Sequence, residues 1–390
     1  MMQKSTYLII SGLLSLNYFS GFLSNDILFV LMMIWTALGF FYYPGYSNLY
    51  TNKNTGIVFA FLILFFLSAL TPLFRYNQDL ISTLIAMRGN WIVLYLLTLL
   101  KIKPTEEDFY KSFKVLSIIT LIISIAVFFM PQLFFDLSAI KRLSIRQLRG
   151  STDILVAWPG SAAIVFYFFL TLGKSIQNNT KNDFTWCTIC MLYIFLMQNR
   201  STLLGTAPFY LYGLLKMDIK YKRIIIAIII LTIGGLIYNI LSSLIEESTT
   251  QLNDSKYNRW QAIYFYLFEQ KNNLYTVLFG NGSPCTGSEY LQYINRAVTT
   301  RLAILSDIGL LGSYFFYGLI TMMLFYSIIL KGIINKNIPQ SIRFYCLWIL
   351  FVPTIHSFAH GMAFTGTVKL LVVMYLILYY SSELERDCNY

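Results

Sequence analysis

Charged residues are scarce in this 390-residue chain, because 12% of the residues are charged whereas 57% are hydrophobic and the mean hydropathy is +0.61. A water-soluble domain carries about 25% charged residues, so the composition excludes an ordinary soluble fold. Apolar runs of about 20 residues, long enough to cross a bilayer as helices, recur along the whole chain. The sequence therefore predicts an all-α integral membrane protein that forms a single polytopic domain, residues 1–390.

Cysteine and histidine are also scarce. Only Cys285 of the five cysteines lies in a long polar segment, so the sequence indicates no disulfide framework. The C-x-x-C spacing of Cys187 and Cys190 sits inside an apolar run without further metal ligands. His356 and His360 are too few to indicate a metal centre. We therefore expect neither a metal nor a cofactor.

Internal repeats and low-complexity tracts are absent, and the apolar runs predict about twelve transmembrane helices. The predicted spans lie near residues 7–23, 26–43, 56–73, 80–100, 113–130, 151–173, 184–198, 201–215, 223–244, 302–330, 343–359 and 362–380. An even number places both termini on one side. We interpret the N-terminal run as a retained first span, since it has no clear cleavage site.

The basic residues indicate an orientation rather than a nucleic-acid partner. A net charge of +11 would suit nucleic acid, but here it is spread over short loops, as the positive-inside rule expects of membrane proteins. The segments on the side of the termini hold more basic residues, which predicts cytoplasmic termini. The two long polar segments, 131–150 and 245–301, then face the periplasm.

Lysine and arginine are divided unequally between the two faces. The inner segments hold 13 Lys and 3 Arg, whereas the outer ones hold 3 Lys and 8 Arg. Orientation needs only positive charge, but the planar fork of arginine binds phosphate oxygens two at a time. We therefore expect the outer face to bind phosphate. The alternative is that the exported loops use arginine simply as a solvated surface.

A spacing of Arg-x10-Gly recurs after each long polar segment, at Arg149 to Gly160 and at Arg301 to Gly312. Arg146 adds a further cation beside the first pair. We interpret each pair as one helix, with the arginine at its outer end and the glycine about three turns into the membrane. Glycine at that depth would permit close helix approach.

Two further arginines lie at unusual positions. Arg88 is about 12 Å inside a predicted span, where an arginine is costly unless it faces a wet cavity or a partner. Snorkelling to the surface is the alternative. Arg200 lies between two short apolar runs, which predicts a depression below the membrane surface. The aromatic-rich segment 257–279 is predicted to lie as a helix on the outer membrane surface, and packing onto the bundle is a compatible alternative.

Short motifs accompany these arginines: NRST at 199–202, LFGNGS at 278–283 and SDIGLLG at 306–312. With the paired Arg-x10-Gly spacing and the two large outer loops, they resemble the O-antigen polymerase family (Wzy type) of the O-antigen polymerase and ligase-like membrane glycosyltransferases. The resemblance implies a GT-C-like fold in the bacterial inner membrane. It also implies polymerisation of a surface polysaccharide from repeat units carried on undecaprenyl diphosphate, without a metal.

The implied reaction assigns roles to the residues above. Its partners would be a lipid-linked oligosaccharide donor and acceptor, membrane lipid and a chain-length regulator protein. Arginine clamps would stabilise the diphosphate leaving group. The candidate diphosphate-binding residues are Arg88, Arg146, Arg149, Arg200 and Arg301, with Gly160 and Gly312 as structural positions.

The acceptor hydroxyl needs a base or an orienting group, and three side chains are candidates. They are His356 and His360, which are spaced i, i+4, and Asp307. Each of them also suits a purely structural role. The GNGS sequence at 280–283 predicts a turn and no ligand.

Two other functions stay open. An O-antigen ligase would share the architecture, although ligases usually carry a His-Asn pair in the large loop and 245–301 has no histidine. A non-enzymatic flippase or transporter of lipid-linked oligosaccharide would suit twelve spans. Repeated halves would be expected in a transporter, whereas this chain has one dominant outer loop.

Overall fold

A computed structural model describes residues 2–16, 18–19, 23–44, 54–129, 145–147, 154–156, 160–196, 200–217, 258–270, 273–301, 308–355 and 368–387. Apart from one short strand pair, the elements in these ranges are helical, as predicted. In chain order they are α1 (Lys4–Ser15), α2 (Asn25–Tyr42), α3 (Thr55–Tyr76), α4 (Leu80–Ala86), a 3-10 helix (Arg88–Val93), α5 (Leu94–Ile102), α6 (Glu106–Phe129), β1 (Ile145–Gln147), β2 (Ile154–Val156), α7 (Ser161–Asn178), α8 (Lys181–Leu196), α9 (Arg200–Lys216), α10 (Asn258–Ile263), a π-helical turn (Tyr264–Glu269), α11 (Leu274–Phe279), α12 (Glu289–Arg301), α13 (Gly309–Ile334), α14 (Gln340–Ile349), a second π-helical turn (Leu350–Ile355) and α15 (Val368–Asp387).

Three of these helices, α3, α6 and α13, are long and apolar enough to cross a membrane. A fourth span results if α4, the 3-10 helix and α5 are taken together, although this pair of segments is bent by 62°. Every predicted span overlaps a helix except 223–244, which lies outside the described residues. Several of the overlapping helices are shorter than the about 20 residues that a bilayer requires.

The turn between α3 and α4 is tightly specified. Asn77, in the left-handed region with φ 49°, ends α3, and Asp79 caps α4 by accepting a hydrogen bond from the Ser82 amide at 2.8 Å. Both residue types suit these positions, because asparagine tolerates positive φ and aspartate is a favoured N-cap. The turn therefore brings the start of the bent span close to the end of α3.

The centre of the bundle is α7, whose residues 163–173 are all buried. A helix that is apolar on every side must be surrounded by other elements, and α7 packs against α6, α8 and α14. Gly173 permits a close approach to α14, since a methyl group there would lie 2.5 Å from Cβ of Ser341.

The interpretation of Arg149 to Gly160 as one helix is wrong. β1 and β2 form an antiparallel pair between 145 and 156, with Arg146 opposite Leu155, and α7 begins only at Ser161. Proline in the W-P-G run at 158–160 restricts the residue before it, which prevents a helix from extending upstream. Gly160 does permit a close approach: with φ +92°, its added methyl would meet the Tyr18 ring at 2.7 Å.

The same interpretation of Arg301 to Gly312 is also wrong. Arg301 is the last residue of α12, and Gly312 lies in the first turn of the separate helix α13. Ile308, at the start of α13, has non-helical backbone angles, and Gly309 has φ +48°. Gly312 is buried at the beginning of α13 rather than three turns inside it.

The segment predicted as one surface helix over 257–279 is two short helical pieces. The first, α10 with its π-helical turn, ends at Glu269, and α11 starts at Leu274 behind the capping box of Asn273. Its buried residues, Ala262 and Tyr266 among them, form a second apolar cluster with α12 and the start of α13. Packing onto other elements is therefore confirmed, while the single helix is wrong.

Candidate functional site

Two interrupted helices meet in the structure. The bent span turns at the 3-10 helix that begins at Arg88, and α13 is interrupted at Gly318, where φ is 75° and ψ is 172°. Tyr317 Oη donates to Asn90 Oδ1 at 2.9 Å and joins the two interruptions. Asn90 Nδ2 is buried without a hydrogen-bond partner in the described part of the chain. Interrupted helices leave polar backbone groups at membrane depth, where binding sites are built in many membrane proteins.

The interruption of α13 is filled by residues 280–283, the GNGS sequence. A break at Gly318 deprives the carbonyls of the preceding turn of their helical partners. Phe315 O accepts from the Asn281 amide at 2.8 Å, and Phe316 O accepts from the Gly282 amide at 3.0 Å. The hydrogen-bonded turn lies at 285–288, where the Ser288 amide donates to Cys285 O at 3.2 Å, rather than at 280–283 as predicted. The irregular segment 280–283 supplies donors that α13 itself lacks.

The contact between residues 280–282 and the break in α13 requires a glycine in each of the two segments. Gly280 has φ +87°, and a methyl group there would lie 2.2 Å from Phe316 O. Gly318 has φ +75°, and its methyl would lie 2.4 Å from the Gly280 nitrogen. Both the left-handed φ and the backbone-to-backbone distance exclude a side chain.

The end of α3 holds residues 280–288, which we call the GNGS loop. Thr71 Oγ1 donates to Gly280 O at 2.7 Å. Gln78 Nε2 donates to Ser283 O at 3.3 Å, and its Oε1 accepts from the Cys285 amide at 3.1 Å. These bonds fix the GNGS loop beside the first interruption.

A cavity of about 620 Å³ lies where the GNGS loop, α1, α2 and α4 meet. Arg88 is the charged residue of its wall, and the GNGS loop contributes Cys285 and Thr286. The rest of the wall combines apolar side chains of α1, α2 and α4 with polar groups such as Ser15 and Ser82. The lining residues are Leu14, Ser15, Leu28, Phe29, Met32, Ser82, Ile85, Ala86, Arg88, Gly89, Ile92, Pro284, Cys285 and Thr286. Such a cavity suits an amphiphile with an anionic group near its apolar part.

Arg88, on the cavity wall, forms an ion pair with Asp26 of α2, which is not among the lining residues. Its Nη2 donates to Asp26 Oδ1, and its Nη1 lies 3.5 Å from Ile85 O. Arg88 therefore lies on a cavity wall and has a partner. Its phosphate-binding role and the snorkelling alternative both stay predictions. Sequence reasoning missed Asp26, because an acidic residue in the first turn of a helix is already explained by the helix dipole.

The other predicted site residues are less completely described. Arg146 lies in β1, Arg200 begins α9 and Arg301 ends α12, but only their backbones are described. Gly160 and Gly312 are both buried next to helix starts. Arg149, Asp307, His356 and His360 lie outside the described residues. Of the five predicted arginines, Arg88 is therefore the one whose side chain the structure places, and it lies beside the GNGS loop.

A buried tyrosine supports the GNGS loop from α12. Tyr290 Oη donates to Gly282 O at 3.3 Å, and the Tyr290 ring stacks on Tyr76 at 4.2 Å. Burial raises the pKa of Tyr290 well above its usual range, so its hydroxyl stays a neutral donor. The Ser82 hydrogen bond lowers the pKa of the Asp79 carboxyl, which keeps that cap ionised.

Comparison with known proteins gives no matching family model, no similar curated protein and no similar solved structure. Within the described residues, no group of three or more His, Cys, Asp and Glu side chains could hold a metal ion. The described residues define an α-helical protein with candidate membrane spans and a polar interruption facing an amphipathic cavity.

Proposed function

We propose that this chain is a GT-C-like membrane glycosyltransferase with about twelve spans that polymerises a surface polysaccharide at the periplasmic face of the bacterial inner membrane. The observation that carries the proposal is Arg88, an arginine at a helix interruption on the wall of a cavity that also offers apolar side chains. Both termini would be cytoplasmic, which places the cavity and the GNGS loop on the periplasmic side. A chain-length regulator would be an additional partner.

The cavity suits the chemistry of a lipid diphosphate. In the proposed reaction, the bond between the anomeric carbon and the diphosphate oxygen breaks, and the electron pair leaves with the diphosphate. The acceptor hydroxyl loses its proton as the new glycosidic bond forms. The Arg88 fork would stabilise the charge on the leaving group, while Leu14, Leu28 and Met32 offer apolar contacts to the lipid. The proposed base is one of Asp307, His356 and His360.

A flippase or transporter is the second candidate, favoured by the two interrupted helices. Transporters commonly bind their substrates where helices are discontinuous. Deleting the gene and analysing the surface glycan separates the candidates. Loss of a polymerase leaves single repeat units attached, loss of a ligase leaves none attached, and loss of a flippase strands the units at the cytoplasmic face.

The variant Arg88→Lys tests the clamp itself. It keeps the charge but removes the planar fork, and we expect the polymerisation rate to fall about tenfold or more. The protein should insert in normal amounts. Arg296→Lys is the matched control, because Arg296 is exposed on α12 away from the cavity wall. Unchanged chain length in Arg88→Lys would contradict the clamp.

A further inference from the structure

Asp26 and Arg88 are 62 residues apart in the sequence and form an ion pair, of which Arg88 belongs to the cavity wall. We infer that the Asp26 carboxylate is a displaceable counter-ion, which holds the Arg88 guanidinium while the site is empty and gives way when a lipid-linked phosphate binds. The inference rests on the proposed function, since it concerns the same arginine. It assigns a role to a residue that no motif predicts.

The geometry leaves room for a second anion on Arg88. The guanidinium carries five N–H donors. Asp26 Oδ1 accepts from Nη2, and the contact of Nη1 with Ile85 O is long at 3.5 Å. The remaining donors of a residue on the cavity wall can therefore reach an incoming phosphate.

Exposure shows that the pair is weak enough to exchange. The side chains of Arg88 and Asp26 are 38% and 68% exposed, so the protein encloses neither charge. Ion pairs between exposed side chains contribute little to stability. A diphosphate offers more negative charge than one carboxylate and matches the arginine fork with two oxygens. Displacement of Asp26 from Arg88 by a diphosphate is therefore favourable, whereas a ligand with a single carboxylate would compete poorly with Asp26.

Helix capping does not account for Asp26. The side-chain cap of α2 is Ser24, whose Oγ accepts from the Ile27 amide at 3.3 Å. Asp79 shows the contrast at the neighbouring helix, because its carboxylate accepts from the Ser82 amide of its own first turn. The carboxylate of Asp26 instead reaches across to another helix.

The experiment measures binding of farnesyl diphosphate to the purified full-length protein by calorimetry at low salt. We expect Asp26→Asn to bind about two- to fivefold more tightly than the wild type, because the competing carboxylate is gone. Asp26→Glu should restore wild-type affinity. Asp79→Asn, which removes a charge from the neighbouring helix start, should leave affinity unchanged. The gain in Asp26→Asn should shrink as added salt screens the pair.

A purely structural Asp26 would give the opposite result. If Asp26→Asn keeps its thermal midpoint but binds the probe equally or more weakly, the counter-ion role is overturned. Arg88→Gln distinguishes this failure from failure of the proposed function. If Arg88→Gln binds as tightly as the wild type, the clamp itself fails. If Arg88→Gln loses binding while Asp26→Asn gains none, only the counter-ion role fails. Binding of inorganic diphosphate as tight as that of farnesyl diphosphate would overturn the lipid specificity.

Discussion

At one end of the helix bundle Arg88 is held by Asp26 beside an open cavity, whereas at the other end Lys174 is enclosed by several partners. Lys174 pairs with Glu107, and its Nζ lies 3.7 Å from the centre of the Tyr110 ring. Its side chain is 21% exposed, against 38% for Arg88. We call these the cavity end and the enclosed end.

Side-chain hydrogen bonds connect the helices at the enclosed end. Tyr110 Oη donates to Asp183 at 2.6 Å, and Ser341 Oγ donates to Glu106 at 2.6 Å. Lys4 Nζ donates to Lys103 O at 2.8 Å, so α1 starts at this end and runs to the cavity. Charges with several internal partners serve the fold, whereas an arginine with one solvated carboxylate can exchange that partner for a ligand.

The strongest test of the difference between the two ends is the side of the membrane on which each end lies. Cys285 lines the cavity, whereas Cys187, Cys190 and Cys346 are buried. We expect a membrane-impermeant maleimide to label Cys285 in intact cells. Cys388, in the C-terminal tail, should react only after permeabilisation. Cys285→Ser is the control, and labelling of Cys285 only after permeabilisation would reverse the proposed orientation.

Gly318→Ala should have the largest effect on stability. The alanine methyl would meet the backbone of Gly280 and Leu278 at 2.4 Å, in a left-handed conformation. We expect a loss of about 3 kcal/mol or more, seen as a lower thermal midpoint and poor folding in detergent. Gly56→Ala is the matched control, because no atom lies within 4 Å of its added methyl. Equal stability of the two variants would contradict the interlocked backbones.

Thr71→Val should have an intermediate effect. The buried Thr71 hydroxyl holds the GNGS loop through Gly280 O, and valine keeps its shape without the donor. We expect about 1–3 kcal/mol of destabilisation, measured by thermal unfolding in detergent. Thr299→Val, which affects an exposed hydroxyl bonded within α12, should change stability by less than about 0.5 kcal/mol. Equal losses of stability in Thr71→Val and Thr299→Val would show that the GNGS loop does not depend on α3.

The smallest effects distinguish the two ends directly. Lys174→Gln should destabilise by about 1–2 kcal/mol, because both its ion pair and its ring contact are lost. Arg88→Gln should destabilise by at most about 1 kcal/mol, since its pair is largely solvated. Farnesyl diphosphate binding should show the reverse order, with loss in Arg88→Gln alone. A loss of binding in Lys174→Gln would remove the distinction.

Local features of the structure were predictable from the sequence. The positions of most helices follow from apolar runs. The unusual position of Arg88 was also visible, because the cost of an arginine in an apolar run depends on its depth in the span. The interpretation of each Arg-x10-Gly pair as one helix was wrong, because equal spacing does not show that the intervening residues share one helix.

From the sequence alone follow the helical character of this chain, apolar runs long enough to span a membrane and the unusual position of Arg88 within one of them. The length of an apolar run and the backbone freedom of glycine depend on neighbouring residues, so both can be predicted from a short stretch of sequence. Only the tertiary structure decided that Asp26 is the partner of Arg88, that α13 breaks at Gly318 and that the GNGS loop fills this break. These features join residues 34 to 62 positions apart, and such contacts depend on how the helices pack.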